Sequence, residues 1–299
     1  TNGGAGVRVL SPGNTLGGDS SALRNVIAGN GGDGIVISGP AASGNAVQGN
    51  HIGVNVAGST VVPNSGAGIR VQSGASGNTV GGGSAGNLIR GNTGAGVALT
   101  GAGSNRVSRN ALWGNGGPGI DLADNGVTAN DGLKSLGQPN LLMDFPVVTQ
   151  AQARGNQLTV TGYVGAAVPL SLFAGASIEV YVSDAHSSGH GGGQTWLGTL
   201  STDATGAFTG TLTVPVTSLA LGTRLTATAT DSSGNTSEFG PNFAGLVVDF
   251  IVNTAADDAD AAVGDGQCLT AAGLCSLRAA ITELNAWSGL ATPPTIAFA

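Results

Sequence analysis

The sequence predicts an all-β chain in three parts: a three-sided parallel coil, an antiparallel β-sandwich, and a small disulfide-containing cap with one helix. Three observations predict it. Gly-led apolar strands recur every 23 to 34 residues over the first 122 residues. From about Val147 this period gives way to short alternating strands separated by turn signals. Near the end, Cys268 and Cys275 sit seven positions apart and lead straight into an amphipathic segment. The boundaries are placed at 1–126 for the coils, 127–145 for a linker, 146–246 for the sandwich and 247–299 for the cap and a first strand beyond it.

The coils come first. "GAGVRV", "GDGIVI", "GAGIRV", "GAGVAL" and "GPGIDL" begin at Gly4, Gly32, Gly66, Gly94 and Gly117. A second signal opens on Asn14, Asn45, Asn78 and Asn105, and a third on Asn25, Asn50, Asn87 and Asn110. Three strand signals in fixed order make a three-sided coil. Length varies only at corners ("GGDSSALR", "GGGSAG", "VAGSTVVPNS"), where a solenoid tolerates insertion because each coil touches only its neighbours. Period-two alternation assigns an inward column of Val7, Ile35, Ile69, Val97 and Ile120. The other two sides carry Leu16, Val47, Val80 and Val107, and Ile27, Ile52, Ile89 and Leu112. Asn suits the corners, because it tolerates the left-handed conformation and its amide can bond the Asn one coil above.

This pattern resembles the right-handed parallel β-helix of pectate-lyase-like proteins over about residues 1 to 122. The resemblance implies the fold and leaves function open, since that fold carries both enzymes and adhesins. Enzymes of that group need clustered carboxylates on one outer face. Here the outward column reads Arg8, Val36, Arg70, Ala98 and Asp121, and another offers Ala28, Gly53, Arg90 and Trp113. No two carboxylates are neighbours on these faces, so no catalytic residue is assigned. His51 points outward without a sequence partner, and His186 and His190 read as solvated loop histidines. "GNGGDGIVI" is similar to calcium-binding nonapeptide repeats, but Asp33 is matched by Ala5, Ala67, Ala95 and Pro118, so that reading fails.

Beyond Leu122 the exit segment "ADNGVTANDGLKSLGQPN" is irregular. Asp121, Asp124, Asn130 and Asp131 are candidate Ca2+ ligands, against the alternative that Asp and Asn simply build turns. No other cofactor is expected. Then come "QLTVTGYV", "ASIEVYVSD", "TWLGTL", "AFTGTLTV" and "TRLTATATD". Seven or so short strands in about 100 residues fit an immunoglobulin-like (Ig-like) sandwich. "TATATDSSGNTSEF" resembles the last strands of bacterial Ig-like domains, with "DSSGN" as the hairpin turn.

The cap region holds both cysteines. No other Cys or His stands nearby to complete four zinc ligands, so a short-loop disulfide between Cys268 and Cys275 is expected, together with an oxidising compartment. "CSLRAA" at Cys275–Ala280, with the acidic loop before it and "ELNA" after it, resembles the CSLREA domain of bacterial secreted proteins. Ala279 departs from the Glu of that motif, so Ser276 can still cap the helix but the return bond of a capping box is lost. Leu277, Ala280, Ile281, Leu284 and Trp287 form one apolar stripe. In that family the module stands ahead of a β-helix, which implies that the tail begins a further unit.

Composition agrees. Only 9% of the chain is charged, the net charge is −7, and Lys134 is the single lysine. Scarce bases argue against nucleic acid as a partner, and no apolar run is long enough for a membrane span. The expectation is a secreted, extracellular or cell-surface protein that is not an enzyme: a segment of a bacterial fibre or adhesin stalk. Copies of the chain would join head to tail, through Val7 and Val9 at one end and Leu277, Ile281, Leu284, Trp287, Ile296 and Phe298 at the other. The strand "TIAFA" finds nothing in its own sequence to join. The alternative is a protein that binds or degrades polysaccharide, at the cell surface for example, with its site outside this segment.

Overall fold

The computed structural model describes residues 2–83, 86–101, 103–215, 219–287 and 294–299. Thr1 lies outside them, as do Ser84 and Ala85 of one corner insertion and Thr292 and Pro293 before the final strand.

The chain is mostly strand, with a single α-helix among the described residues. The first part winds through β1 (Val7–Val9), β2 (Thr15–Gly17), β3 (Val26–Ile27), β4 (Ile35–Ser38), β5 (Ala46–Gln48), β6 (His51–Ile52), β7 (Ile69–Gln72), β8 (Thr79–Gly81), β9 (Leu88–Arg90), β10 (Val97–Leu99), β11 (Arg106–Ser108), β12 (Ala111–Trp113) and β13 (Ile120–Leu122). These strands form three parallel sheets, β1-β4-β7-β10-β13, β2-β5-β8-β11 and β3-β6-β9-β12. Parallel sheets built from every third strand are consistent with a β-helix.

The three inward columns pair as their alternation demands. Val7, Ile35, Ile69, Val97 and Ile120 are in register. So are Leu16, Val47, Val80 and Val107, and Ile27, Ile52, Ile89 and Leu112. Beyond the first coil these side chains are almost fully buried and make one core.

Asparagine ladders hold the corners. The first runs Asn14, Asn45, Asn78, Asn105, and the second Asn25, Asn50, Asn87, Asn110. At each step the backbone N–H and the Nδ2 of one Asn donate to the Oδ1 of the next, as from Asn45 to Asn78 at 2.9 Å each. Corner polar groups buried between coils are thereby paired, which a solenoid without helices must arrange by side chains. A third ladder was not foreseen: Asn30, Asn64, Asn92, Asn115. In the second coil the insertion displaces its member to Asn64, while Asn55, the position the spacing favours, caps a turn through Ser59 and Thr60.

The second part has two sheets over one core. β14 (Pro146–Arg154), β15 (Gln157–Val164), β18 (Ala207–Thr213), β20 (Leu246–Val252) and β21 (Ile296–Phe298) make one, in the order β18-β15-β14-β20-β21. β16 (Ser177–Ser183), β17 (Gly193–Ser201) and β19 (Leu225–Thr230) make the other, in the order β17-β16-β19. "DSSGN" forms the hairpin turn, with Asp231 N–H donating to Asn235 O and Gly234 N–H to Asp231 O. The segment after it runs back along β19, with Ser237, Gly240 and Phe243 donating to Ala229, Ala227 and Leu225.

The cap packs on this sandwich. Cys268 and Cys275 are bonded. Helix α1 (Leu277–Ala286) starts at Ser276, whose Oγ accepts from Ala279 N at 3.0 Å, so the N-cap survives the Ala at the motif position. Two expectations need correction. The final strand does find a partner in its own chain: β21 pairs parallel with β20, Phe250 opposite Ile296 and Val252 opposite Phe298. The helix stripe does not all face one way. Ala280 is buried and Leu284 and Trp287 pack on the sandwich core, whereas Leu277 and Ile281 are 44% and 45% exposed. The inward turn is instead taken by Ala279, Ala280 and Glu283, because the Glu283 carboxylate accepts from the loop amides of Gly264 and Gly266 and from Trp287 Nε1.

Candidate assembly site

The two ends of the coil differ, and the difference defines the site. A parallel solenoid leaves backbone groups unpaired on the outer edges of its first and last coils. In the interior the amides divide between the two neighbours: some donate to the following coil, as Val97 N–H to Gly119 O at 2.9 Å, and others to the preceding one, as Arg106 N–H to Asn78 O at 2.9 Å. The last coil has no following coil among the described residues, and side-chain oxygens of the sandwich take the place of its carbonyls. Thr236 Oγ1 accepts from Val107 N at 3.0 Å beside β11. Asp184 Oδ2 accepts from Gly114 N at 2.8 Å, just past β12. Glu238 Oε1 accepts from Leu122 N at 2.8 Å on β13. Glu179 accepts from Ser108 Oγ at 2.6 Å, Arg109 N at 2.9 Å and the Tyr181 hydroxyl at 2.5 Å.

The apolar end of the core is closed by Tyr181 and Phe239, packed edge to face with ring centroids 5.4 Å apart. The approach is tight. A Cβ on Gly192 would lie 2.0 Å from Leu112 O, and one on Gly119 would lie 2.8 Å from the Phe239 ring, so both positions require glycine. The segment expected as a linker takes part as well. Asn140, fully buried with φ +43°, prolongs the first ladder: its Oδ1 accepts from Asn105 N at 2.8 Å and its Nδ2 donates to Asn105 O and Thr236 O.

Among the described residues nothing covers the first coil in this way. Val7 and Leu16 are only partly buried, Val26 is 43% exposed, and a hollow of about 400 Å³ opens among Val7, Leu16, Val26 and Ile27. Asn14, Asn25 and Asn30 donate onward to Asn45, Asn50 and Asn64. Their own Oδ1 atoms, the acceptors on which each later coil relies, receive no hydrogen bond from the described residues. At the tail, β21 is the outer strand of its sheet, with Phe298 68% exposed. Beside it a groove of about 550 Å³ is lined by Val252, Ala255, Ala256, Leu277 and Phe298.

The candidate calcium ligands are not gathered. Asp121, placed on the outside by its alternation, is buried and accepts from the N–H groups of Asn125 and Gly126. Asp124 pairs with Arg70 at 2.7 Å, with Asp33 on the other side of the same guanidinium. Asn130 bonds Phe145 and Gly165, and Asp131 bonds Leu133 N. Each carboxylate or amide is taken up by separate partners, which is why they do not converge. The one group of three metal-type side chains among the described residues is Asp260, Asp265 and Glu283, with oxygens within 4.8 Å. Sequence reading passed over it because Glu283 stands 18 residues from Asp265, across the disulfide loop. Of the histidines, His51 Nδ1 lies 3.3 Å from Asn55 O, and His186 is half-buried. His190, expected in solvent, is also half-buried, with Nδ1 3.0 Å from Phe239 O and its ring against Phe145.

Burial at the closed end pushes the Glu238 carboxyl up to about 7, against the opposing bonds from Thr128 and Leu122. The folded state therefore holds a proton that the unfolded chain has lost above its ordinary value of 4.5. Stability is fullest below that value, falls as pH rises from 4.5 towards 7, and levels off above, a change of up to about 3 kcal/mol. Asp121 and Asp144 are raised by burial too and act in the same direction. Thermal melts from pH 5 to 8 should fall in midpoint, and Glu238→Gln should remove a large part of that slope. An unchanged slope in the variant would assign it to other groups.

No known family model matches this chain. No helix among the described residues is long and apolar enough to cross a membrane.

Proposed function

We propose that the protein is a structural segment of an extracellular bacterial fibre or adhesin stalk. Its first coil receives the tail end of the preceding unit. The observation that carries this is the asymmetry of the coil among the described residues: one end is sealed by four sandwich side chains, and at the other an apolar hollow, three strand edges and three ladder acceptors meet no described partner.

The tail supports it with a parallel pair, β20 and β21, whose free edge is the kind on which a further parallel strand stacks. β1 fits that edge by continuing its alternation. Val7 and Val9 would follow Ile296 and Phe298 on the inner face, and Arg8 would follow Ala297 on the outer. A head-to-tail contact of this kind is heterologous and propagates without closing. Where units are joined covalently, the same contact forms within one polypeptide.

The middle part is read as an Ig-like sandwich, with the segment after Asn235 as the strand returning along β19. The tail is read as a CSLREA-like cap on its disulfide and Ser276-capped helix. The disulfide and the scarcity of charge fit a secreted location.

Sedimentation and negative-stain microscopy at rising concentration test the reading. The intact chain should form linear oligomers, and Phe298→Asp should leave monomers with an unchanged far-UV spectrum. An intact chain that stays monomeric at high concentration, or a variant that still assembles, would overturn it.

A further inference from the structure

Lys134 is the single lysine of the chain, and it is not a solvated surface charge. Its side chain is 21% exposed, its Nζ lies 2.9 Å from Asp231 Oδ2, and the Phe173 ring centroid is 5.9 Å away. The same Asp231 carboxylate accepts from Asn235 Nδ2, at 3.0 Å to each oxygen. Both groups meet on Asp231 Oδ2, so the amine and the amide lie within about 6 Å of one another. Asn235 is buried at 1% exposure, and its Oδ1 has no hydrogen-bond partner among the described residues. An orphan amide oxygen in a dry site is costly, so its persistence beside an amine and a carboxylate calls for a chemical reason.

We propose that Lys134 and Asn235 join in an intramolecular isopeptide bond, with Asp231 as the proton carrier. Burial pushes the Asp231 carboxyl up, but its bonds with Lys134 and Asn235 outweigh this and hold it below its usual range. The resting pair is therefore ionic, and proton transfer comes first. Asp231 takes a proton from the Lys134 ammonium, a transfer that poor solvation of two separate charges favours. The protonated carboxyl can then donate to Asn235 Oδ1 once the amide turns over, which gives the orphan its partner and polarises Cγ. The neutral Nζ attacks Cγ and a new C–N bond forms. The Cγ–Nδ2 bond breaks as Asp231 passes protons from the attacking nitrogen to the leaving one. One ammonium ion is released for the one ammonium consumed, charge is conserved, and nothing is oxidised or reduced. The product ties the exit segment to the hairpin turn 101 residues later, across the junction between coil and sandwich.

The test is mass spectrometry on the purified chain, held folded at neutral pH. The denatured, reduced protein should be lighter than its sequence by one ammonia. Trypsin should yield a branched peptide joining residues 110–154 to 225–278 in place of the three linear ones, 110–134, 135–154 and 225–278. Lys134→Arg, which keeps the ion pair, and Asp231→Ala should both restore the full mass and the linear peptides. Circular dichroism would check that each variant is folded. Linear peptides from the unmodified chain would overturn the proposal, as would an ammonia loss that persists in Lys134→Arg, which would trace to an Asn–Gly step such as Asn125–Gly126. Loss of water with a Lys134–Asp231 branch would overturn the assignment of Asn235. A bond that forms equally well in Asp231→Ala would overturn the role of Asp231.

Discussion

Replacing Asn78 with alanine should destabilise the coil by about 4 kcal/mol, a cost large enough to unfold many domains. Asn78 sits in the middle of the first ladder with 1% exposure. Its Oδ1 accepts from the Asn45 N–H and from Asn45 Nδ2, and its Nδ2 donates to Ala42 O and Asn105 Oδ1, all at 2.9 to 3.0 Å. Truncation leaves two donors and a carbonyl unpaired between coils. Each such group costs about 1–3 kcal/mol, and water entering the gap offsets part of the total. Asn14→Ala is the control. Asn14 occupies the open end, where its Oδ1 serves no described coil, so its loss should cost under about 1 kcal/mol. Urea unfolding of both variants decides the matter. Equal costs at the two positions would mean that the ladder is an ornament of the corners rather than a source of stability.

Replacing Glu179 with alanine should cost about 3–5 kcal/mol and loosen the sandwich from the coil, because a buried carboxylate that three donors share is removed at once. Those donors are the Ser108 hydroxyl, the Arg109 amide and the Tyr181 hydroxyl. Tyr181 loses its acceptor while its phenol remains buried. Burial first, and the Glu179 charge second, push that phenol well above its ordinary value, so it stays a donor at every workable pH. The exit segment, residues 123–139, should then become the first site of proteolysis. A double-mutant cycle with Ser108→Ala separates the shared term from the rest. Protection of the exit segment equal to wild type would show that Thr236, Asp184 and Glu238 hold the junction without Glu179.

The parallel coil was legible because its information is periodic. A column such as Val7, Ile35, Ile69, Val97, Ile120 repeats one residue class at one position of each turn, and alternation fixes which way it points. The disulfide was legible because its partners are local and lack rivals, and the helix start because a Ser N-cap needs only the amide three residues on. The third ladder was half-hidden: Asn30, Asn92 and Asn115 keep the spacing, and the insertion in the second coil moves their fellow to Asn64.

What the sequence by itself determined is therefore the set of local and repeating choices: coil, strands, turn at "DSSGN", cap helix and cysteine pair. Only the tertiary structure decided how the parts meet. Thr236, Asp184, Glu179 and Glu238 read as ordinary strand and turn residues, yet each supplies an oxygen to a particular edge amide of the last coil. Asn140 reads as a loop residue and extends a ladder. The final strand reads as unpartnered and pairs with β20. Lys134 meets Asp231 across 97 residues. The physical reason is common to all of them. A buried donor must find an acceptor, but chemistry fixes only that one exists, and residues far apart in sequence leave no spacing from which to read which one it is.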